Sequence, residues 1–265
     1  MSKIDLKSVG ILLRDNSQDY PVDMLRTMFD RVGSRMHLLN HVLPDETLDL
    51  VIAMGGDGTV LKALEMHPDC PVLAINYGEV GFLTAGDRTE LESVVTRVLD
   101  GEYMISERVL LHCEYPGGSS HVINEVVLRS NWRMFKVDVS VNGGRIRTIR
   151  GDGVIVGTPT GSTGYLLSTG GPIIMPDADC FVLDGINEYN FTSRAVVLPS
   201  SARIHLCLND LLPDQEAHVY VDGLPVCSLM PGEVINMARS ERRAQLIFFE
   251  KDYFFRNLSS RLSWH

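Results

Sequence analysis

The sequence predicts two folds in one chain, an α/β N-terminal half and a β-rich half after it. Over roughly the first hundred residues, short apolar runs alternate with segments of helical spacing. Beyond about Glu107 the runs become β-rich, with tight-turn dipeptides between them. Strand–helix–strand order requires a parallel sheet with helices on its faces, whereas strands joined by short turns pair antiparallel. A chain of 265 residues, 45% hydrophobic and 22% charged, is long enough to bury cores of both kinds.

Val9 to Leu13 reads as a buried strand, and Pro21 to Val32 carries Leu25, Met28, Phe29 and Val32 at helical spacing. Leu48 to Met54 is a second apolar run that ends abruptly in Gly55-Gly56-Asp57-Gly58, and Thr59 to Met66 reads as a helix. Pro71 to Ile75 is a further strand. From Thr89, with Glu92 as its capping-box partner, a helix carries the stripe Leu91, Val94, Val95, Val98 and Leu99 and stops at Gly101. This order is that of a Rossmann-like α/β domain. Val109–Glu114, Val122–Arg129, Val137–Val141, Arg145–Ile149, Ala195–Leu198, Ile204–Leu208 and Val219–Asp222 then read as strands. Asn142-Gly143 and Asp222-Gly223 supply hairpin turns, and the sum is a β-sandwich-like domain. The boundary falls near residues 100–108, without a Pro- or Ser-rich linker.

The net charge of −10 argues against a duplex nucleic-acid partner, although local basic groups and backbone N–H groups still hold phosphates on an acidic protein. No apolar run approaches membrane-spanning length, and the opening residues lack a signal-peptide h-region. Five scattered cysteines, without a C-x-x-C pair, fit reduced thiols. A cytoplasmic location with no membrane partner is therefore expected. His37 and His41 lack an H-E-x-x-H pattern and a third ligand, so no metal role is expected of them.

Three blocks carry candidate chemistry. Gly55-Gly56-Asp57-Gly58-Thr59 lies between a buried strand and a helix, where an open α/β sheet binds its ligands. Glycines there let backbone N–H groups approach a phosphate, and the helix N-terminus favours negative charge. An Asp inside such a turn suits a proton acceptor or a Mg²⁺ ligand; it equally suits a capping residue that bonds Thr59 or its neighbour. The turn matches neither the P-loop nor the G-x-G-x-x-G pattern. The second block runs from Gly151-Asp152-Gly153 through Thr158-Pro159-Thr160-Gly161-Ser162-Thr163-Gly164-Tyr165 to Gly170-Gly171-Pro172. Its hydroxyls offer donors and acceptors to a ribose or phosphate; the alternative is a polar surface loop. The third is Asn124-Glu125, in which Asn124 can reach a base edge and Glu125 can accept from a diol, or which is ordinary strand alternation.

Together these blocks resemble the NAD kinases, which phosphorylate the adenosine 2′-hydroxyl of NAD. Asn76-Tyr77-Gly78-Glu79-Val80-Gly81-Phe82-Leu83, Asp222-Gly223 and the tail Asn257-Leu258-Ser259-Ser260-Arg261-Leu262-Ser263-Trp264 add to the resemblance, which spans nearly the whole chain. It implies that Asp57 is the general base and that Gly55, Gly56, Gly58 and Thr59 approach phosphate. Gly58 would lie against the dinucleotide and Lys62 would reach a phosphate. Phe82 would pack near the adenine, while Asn124 and Glu125 would bind the adenosine portion. Arg150 and Asp152 would lie at the far end of the dinucleotide. Thr163, Gly164, Tyr165 and Ser168 would line adenine pockets, partly from a neighbouring subunit, with Asn187 and Leu224 as flanking contacts. It further implies ATP as donor, Mg²⁺ as cofactor and a homodimer or homotetramer with the site between domains. The domains would be 1–106, to which 245–265 return, and 107–244.

The chain departs from the family at Gly164, where Ala is usual. It departs again around Asn187 in the stretch from Ile186 to Ala195, and at Leu224, where a polar residue is frequent. Two other classes stay open on the residues alone. A lipid kinase shares G-G-D-G-T but would need an apolar acceptor pocket and membrane attraction, and a silent dinucleotide-binding regulator would have no use for Asp57.

Overall fold

The computed structural model describes residues 4–14, 20–40, 47–78, 81–190 and 192–263. His41, Glu79, Val80 and Trp264 lie outside them, so the His37–His41 pair and parts of two motifs are not described. The chain divides into two compact units, residues 1–107 with 244–265, and residues 108–243.

The first unit begins with β1 (Ser8–Leu13), α1 (Val22–Arg31), β2 (Arg35–Leu38), β3 (Leu50–Gly55) and α2 (Asp57–Met66). β4 (Val72–Asn76), β5 (Gly86–Asp87) and α3 (Leu91–Asp100) follow. β2, β1, β3 and β4 lie side by side, all parallel, with Val9 opposite Leu50 and Val51 opposite Val72. β3 and β4 are buried along their whole length, as strands covered on both faces must be. Leu25 and Phe29 of α1 and Leu91, Val94, Val95 and Val98 of α3 share one core with Val9, Ile11, Ile52 and Leu73. Truncating a side chain such as Phe29 to Ala would cost about 3–5 kcal/mol.

Two boundaries differ from expectation. α2 starts at Asp57 rather than Thr59, with Gly56 extended as its N-cap. The Thr89–Glu92 capping box does not form. Asp87, pinned by the pairing of β5 with β4, accepts from Thr89 N (2.7 Å) and Thr89 Oγ1 (2.6 Å), and Glu90 Oε2 accepts from Asp87 N (3.1 Å). Thr89 is thereby tied to a carboxylate before the helix, and α3 has no side-chain cap. The stop at Gly101 does form, in the left-handed region at φ 81°.

The second unit contains two antiparallel sheets. Its strands are β6 (Met104–Tyr115), β7 (Gly118–Val122), β8 (Glu125–Ser130), β9 (Phe135–Val141), β10 (Gly144–Gly151) and β11 (Gly153–Gly157). A 3₁₀ turn (Thr160–Thr163) and the short α4 (Tyr165–Ser168) lead to β12 (Cys180–Ile186), β13 (Val196–Pro199), β14 (Ile204–Leu208), β15 (Ala217–Val221), β16 (Leu224–Leu229) and β17 (Val234–Phe248). One sheet runs β13-β12-β11-β8-β15-β16; in the other, β10, β9, β14 and the first part of β17 are successive neighbours. Val126, Leu128, Val154, Val156, Phe181 and Val219 of the first sheet share a buried core with Val137, Val139, Ile204, Leu206 and Ile235 of the second. The outer face of β8, β11 and β12 is covered too, by Leu166 of α4 against Val127, Ile155 and Val182. The end of β17 pairs with β4, Leu246 opposite Val72, and α5 (Tyr253–Leu262) closes the first unit.

Candidate functional site

In the first unit the site is built at the carboxyl ends of β1 and β3. Gly55 ends β3, and Asp57, Gly58 and Thr59 form the first turn of α2. Asp57 does not cap Thr59: its Oδ2 accepts from Phe82 N at 3.0 Å and its Oδ1 from Leu83 N at 3.1 Å. Gly81 makes that approach possible, because a Cβ there would collide with Asp57 Oδ1 and sit 2.9 Å from its Cγ. An ionised carboxylate has about four lone-pair sites, so two accepted N–H groups leave room for a hydroxyl. Beside Asp57, Gly56, Gly58, Thr59 and the exposed Lys62 line a hollow of about 450 Å³ with Leu13 and Arg14. Two cations and a helix N-terminus around one hollow suit phosphate oxygens. Arg14 was missing from the sequence reading, though it stands directly after the apolar run of β1, where ligands of open α/β sheets bind. Phe82 is buried on the same loop that holds Asp57.

In the second unit the organising group is Asp222, which sequence reasoning placed only in a turn. Its Oδ2 accepts from Ile123 N (2.9 Å), and its Oδ1 from Asn124 N (2.7 Å) and Glu125 N (3.1 Å). Asp222 and Gly223 adopt φ 47° and 84°, the left-handed pair of a two-residue hairpin turn between β15 and β16. The Asn124–Glu125 turn is thereby clamped, and the loop after β11 packs upon it. A Cβ on Gly161 would collide with the Asn124 carbonyl oxygen, and a Cβ on Gly164 would lie 3.1 Å from Glu125 Oε2. Asn124, Glu125 and Gly164 are thus brought together, with Tyr165 following at the start of α4.

The hydroxyls of this loop are largely spent on the fold, contrary to the expectation that they face a ligand. Thr158 Oγ1 donates to Ile123 O (2.5 Å) and accepts from Gly161 N (3.2 Å). Ser162 Oγ donates to Pro159 O (2.7 Å) and accepts from Ile174 N (3.0 Å). Both side chains are fully buried, where an unpaired hydroxyl is costly. Thr163 Oγ1 turns back to Thr160 O at 3.3 Å. Ser168 is exposed at the end of α4.

Glu125 is 7% exposed, and among the described residues its Oε2 meets no hydrogen-bond donor. Burial pushes its carboxyl up to about 7; the Asp222 charge adds to this and a Tyr165 backbone N–H opposes it. The result is a buried carboxyl with one oxygen uncommitted among the described residues.

Arg150, Asp152 and Asn187 gather at a separate point of the same unit. Asn187 Nδ2 donates to Asp152 Oδ2 at 2.9 Å, and the Arg150 guanidinium lies 4.9 Å from the Tyr189 ring centre. Arg150 lines a hollow of about 380 Å³ that also contains Arg147 and Arg194. Leu224 is 58% exposed beyond the Asp222 turn. All five cysteines are free thiols, and burial pushes Cys70 and Cys113 up to about 12. Among the described residues, no helix is long and apolar enough to cross a membrane.

Known proteins carry the same plan. A family model described as the ATP-NAD kinase N-terminal domain matches residues 28–103, and one described as the ATP-NAD kinase C-terminal domain matches residues 123–249. The chain is 32% identical over 252 residues to the NAD kinase of Geobacter metallireducens, covering 92% of this chain and 88% of that one. It is 36% identical to that of Thermococcus gammatolerans, covering 80% and 77%. An NAD kinase from Archaeoglobus fulgidus, solved in complex with ATP, superposes with a TM-score of 0.81 at 26% identity over 97% of this chain and all of that one. Yeast NADH kinase, solved with NADH, shares the fold, with a TM-score of 0.84 at 22% identity over 98% and 88%. With both of its units matched and relatives above 30% identical across most of its length, the chain belongs to the NAD kinase family.

Proposed function

We propose that Asp57 is the general base in the ATP-dependent phosphorylation of NAD that this chain catalyses. The observation that carries this reading is the grip of the Phe82 and Leu83 N–H groups on Asp57, which holds its carboxylate at the open start of α2. Asp57 orients the adenosine 2′-hydroxyl and accepts its proton late, as a bond forms from the 2′-oxygen to the γ-phosphorus. The bond from that phosphorus to the β,γ-bridging oxygen breaks, and ADP leaves. An alcohol is too weak an acid for a carboxylate to deprotonate in the ground state, so positioning supplies most of the effect.

In the same proposal, Arg14 and Lys62 hold phosphate oxygens at the first turn of α2. Glu125 accepts from a ribose hydroxyl, Asn124 and Tyr165 contact the adenosine portion, and Arg150 and Asp152 serve the far end of the dinucleotide. Among the described residues no group of three His, Cys, Asp or Glu side chains could cage a metal ion. That donor set fits a Mg²⁺ carried in on ATP, which would neutralise charge on the donor phosphates. A cytoplasmic homodimer or homotetramer completes the reading.

The test is NADP formation from NAD, ATP and Mg²⁺, read through an NADP-specific dehydrogenase. Asp57→Asn should lower kcat by about 100-fold or more while NAD affinity stays within a few-fold. A near-normal kcat in that variant removes Asp57 from the role of base.

A further inference from the structure

The tail motif beginning at Asn257 has no part in the chemistry above, yet its side chain reaches the loop that receives Asp57. α5 is anchored by buried Tyr253, Phe254 and Leu258. Tyr253 stacks on Phe248 with ring centres 3.5 Å apart, and its hydroxyl lies 3.1 Å from Ser106 Oγ. From this fixed helix, Asn257 Nδ2 donates to Phe82 O at 3.3 Å and to Thr84 O at 3.0 Å. An amide nitrogen carries two hydrogens, and both are used.

The Phe82 carbonyl and the Leu83 N–H belong to one planar peptide unit. That N–H is one of the two donors to Asp57. A rotation that frees the Phe82 carbonyl from Asn257 therefore swings the Leu83 N–H away from the Asp57 carboxylate. Hydrogen bonds in series also polarise one another, so the outer bond strengthens the inner one. The local alternative is weak: Thr84 Oγ1 reaches Gly81 O only at 3.5 Å.

We propose that Asn257 is a positioning residue for phosphoryl transfer, setting the Phe82–Leu83 peptide plane and, through it, the direction of the Asp57 carboxylate. The proposal rests on Asp57 being the base. Its signature is a loss of rate without a loss of NAD affinity, because a misdirected base costs reactivity rather than binding.

The experiment compares Asn257→Ala in wild type and in Asp57→Asn, by single-turnover NADP formation, with NAD affinity measured by calorimetry. In the wild-type background the rate should fall about tenfold with NAD affinity unchanged within threefold; in Asp57→Asn the same change should alter the rate less than twofold. An equal loss in both backgrounds would mean that Asn257 merely supports the fold, and an unchanged wild-type rate would likewise overturn the proposal. If Asn257→Ala shows no melting transition, Asn257→Leu, which keeps the volume without the donors, takes its place. Amide exchange at Leu83 must then quicken in the folded variant, and unchanged protection overturns the proposal. A near-normal rate in Asp57→Asn alone would remove the base and this inference with it. A dead Asp57→Asn beside an undisturbed Asn257→Ala would remove this inference only.

Discussion

Asp57 and Asp222 both grip backbone amides far away in sequence, and they do so to opposite ends. Asp57 accepts two N–H groups from residues 25 and 26 positions ahead, while Asp222 accepts three from residues 97 to 99 positions behind. Asp57 opens a helix, and its neighbours Gly56 and Gly58 line a hollow with Arg14 and Lys62. Asp222 stands beside a second carboxyl, Glu125, and adds to the burial that drives that group towards its neutral form. The same hydrogen-bonding device holds a carboxylate in one unit and folds the Asn124–Glu125 turn in the other. What separates them is where each stands: Asp57 opens a helix, and Asp222 sits in a hairpin turn beside Glu125.

The largest expected effect comes from breaking the second grip. Asp222→Ala strips three N–H groups of their acceptor at once and should cost about 3–4 kcal/mol of stability, read by urea denaturation. Asp57→Ala, which strips two N–H groups rather than three, should cost less stability while losing far more rate. If the two variants are equally destabilised, the division between a folding aspartate and an aiming one is wrong.

Next in size is the proton that Glu125 holds. Burial pushes its carboxyl up to about 7 in the folded protein from an ordinary value of 4.5, so the folded state binds the proton more tightly. The contribution is fully present below pH 4.5 and is lost as pH rises to 7. It amounts to about 3 kcal/mol over that window. Glu125→Gln should flatten this part of the stability–pH curve and be more stable than wild type at pH 8. NAD affinity should rise through pH 7 in wild type, as the ionised carboxyl becomes the acceptor, and not in Glu125→Gln. A wild-type curve without slope between pH 4.5 and 7 would place Glu125 in contact with water.

Gly81→Ala comes third. The added Cβ collides with Asp57 Oδ1, so the carboxylate must leave its two donors or the loop must shift. kcat should fall about 10- to 50-fold with NAD affinity nearly kept, in steady-state kinetics beside calorimetry. An undisturbed kcat would show that the grip on Asp57 is dispensable.

Local signals made the frame of the molecule readable, and distant contacts hid the rest. The stripe of α3 and its Gly101 stop, and the Asn142-Gly143 and Asp222-Gly223 hairpins, depend on residues close in sequence and stand where the pattern put them. The capping box of α3 was misjudged because Thr89 bonds instead to Asp87, which the two-residue β5 holds against β4. The clamp by Asp222 was invisible, since an Asp-Gly turn looks the same whether its carboxylate meets water or three amides far away in sequence. The hydroxyls of Thr158 and Ser162 were misjudged for the converse reason. Composition shows that donors exist, and only packing shows that Ile123, Pro159 and Ile174 already use them. Motif residues such as Asp57 and Glu125 were legible as residues; the amides and the burial that define them were not.

The smallest effect sharpens the Glu125 side of the comparison. Gly164 has φ −94°, outside the left-handed region that favours glycine. Its Cβ would sit 3.1 Å from Glu125 Oε2 and 3.3 Å from Gly161 O, contacts that yield with shifts of a few tenths of an ångström. The methyl would face Oε2, which is closed to solvent and meets no donor among the described residues, so it would set apolar surface against a charge rather than fill a void. Gly164→Ala should therefore be almost neutral at pH 5, where Glu125 is protonated, and should cost about 0.5 kcal/mol at pH 8, where it is ionised. Melting curves at the two pH values separate the cases. A cost equal at both would mean that the methyl acts by steric pressure alone, and that the uncommitted oxygen of Glu125 is not the group it meets.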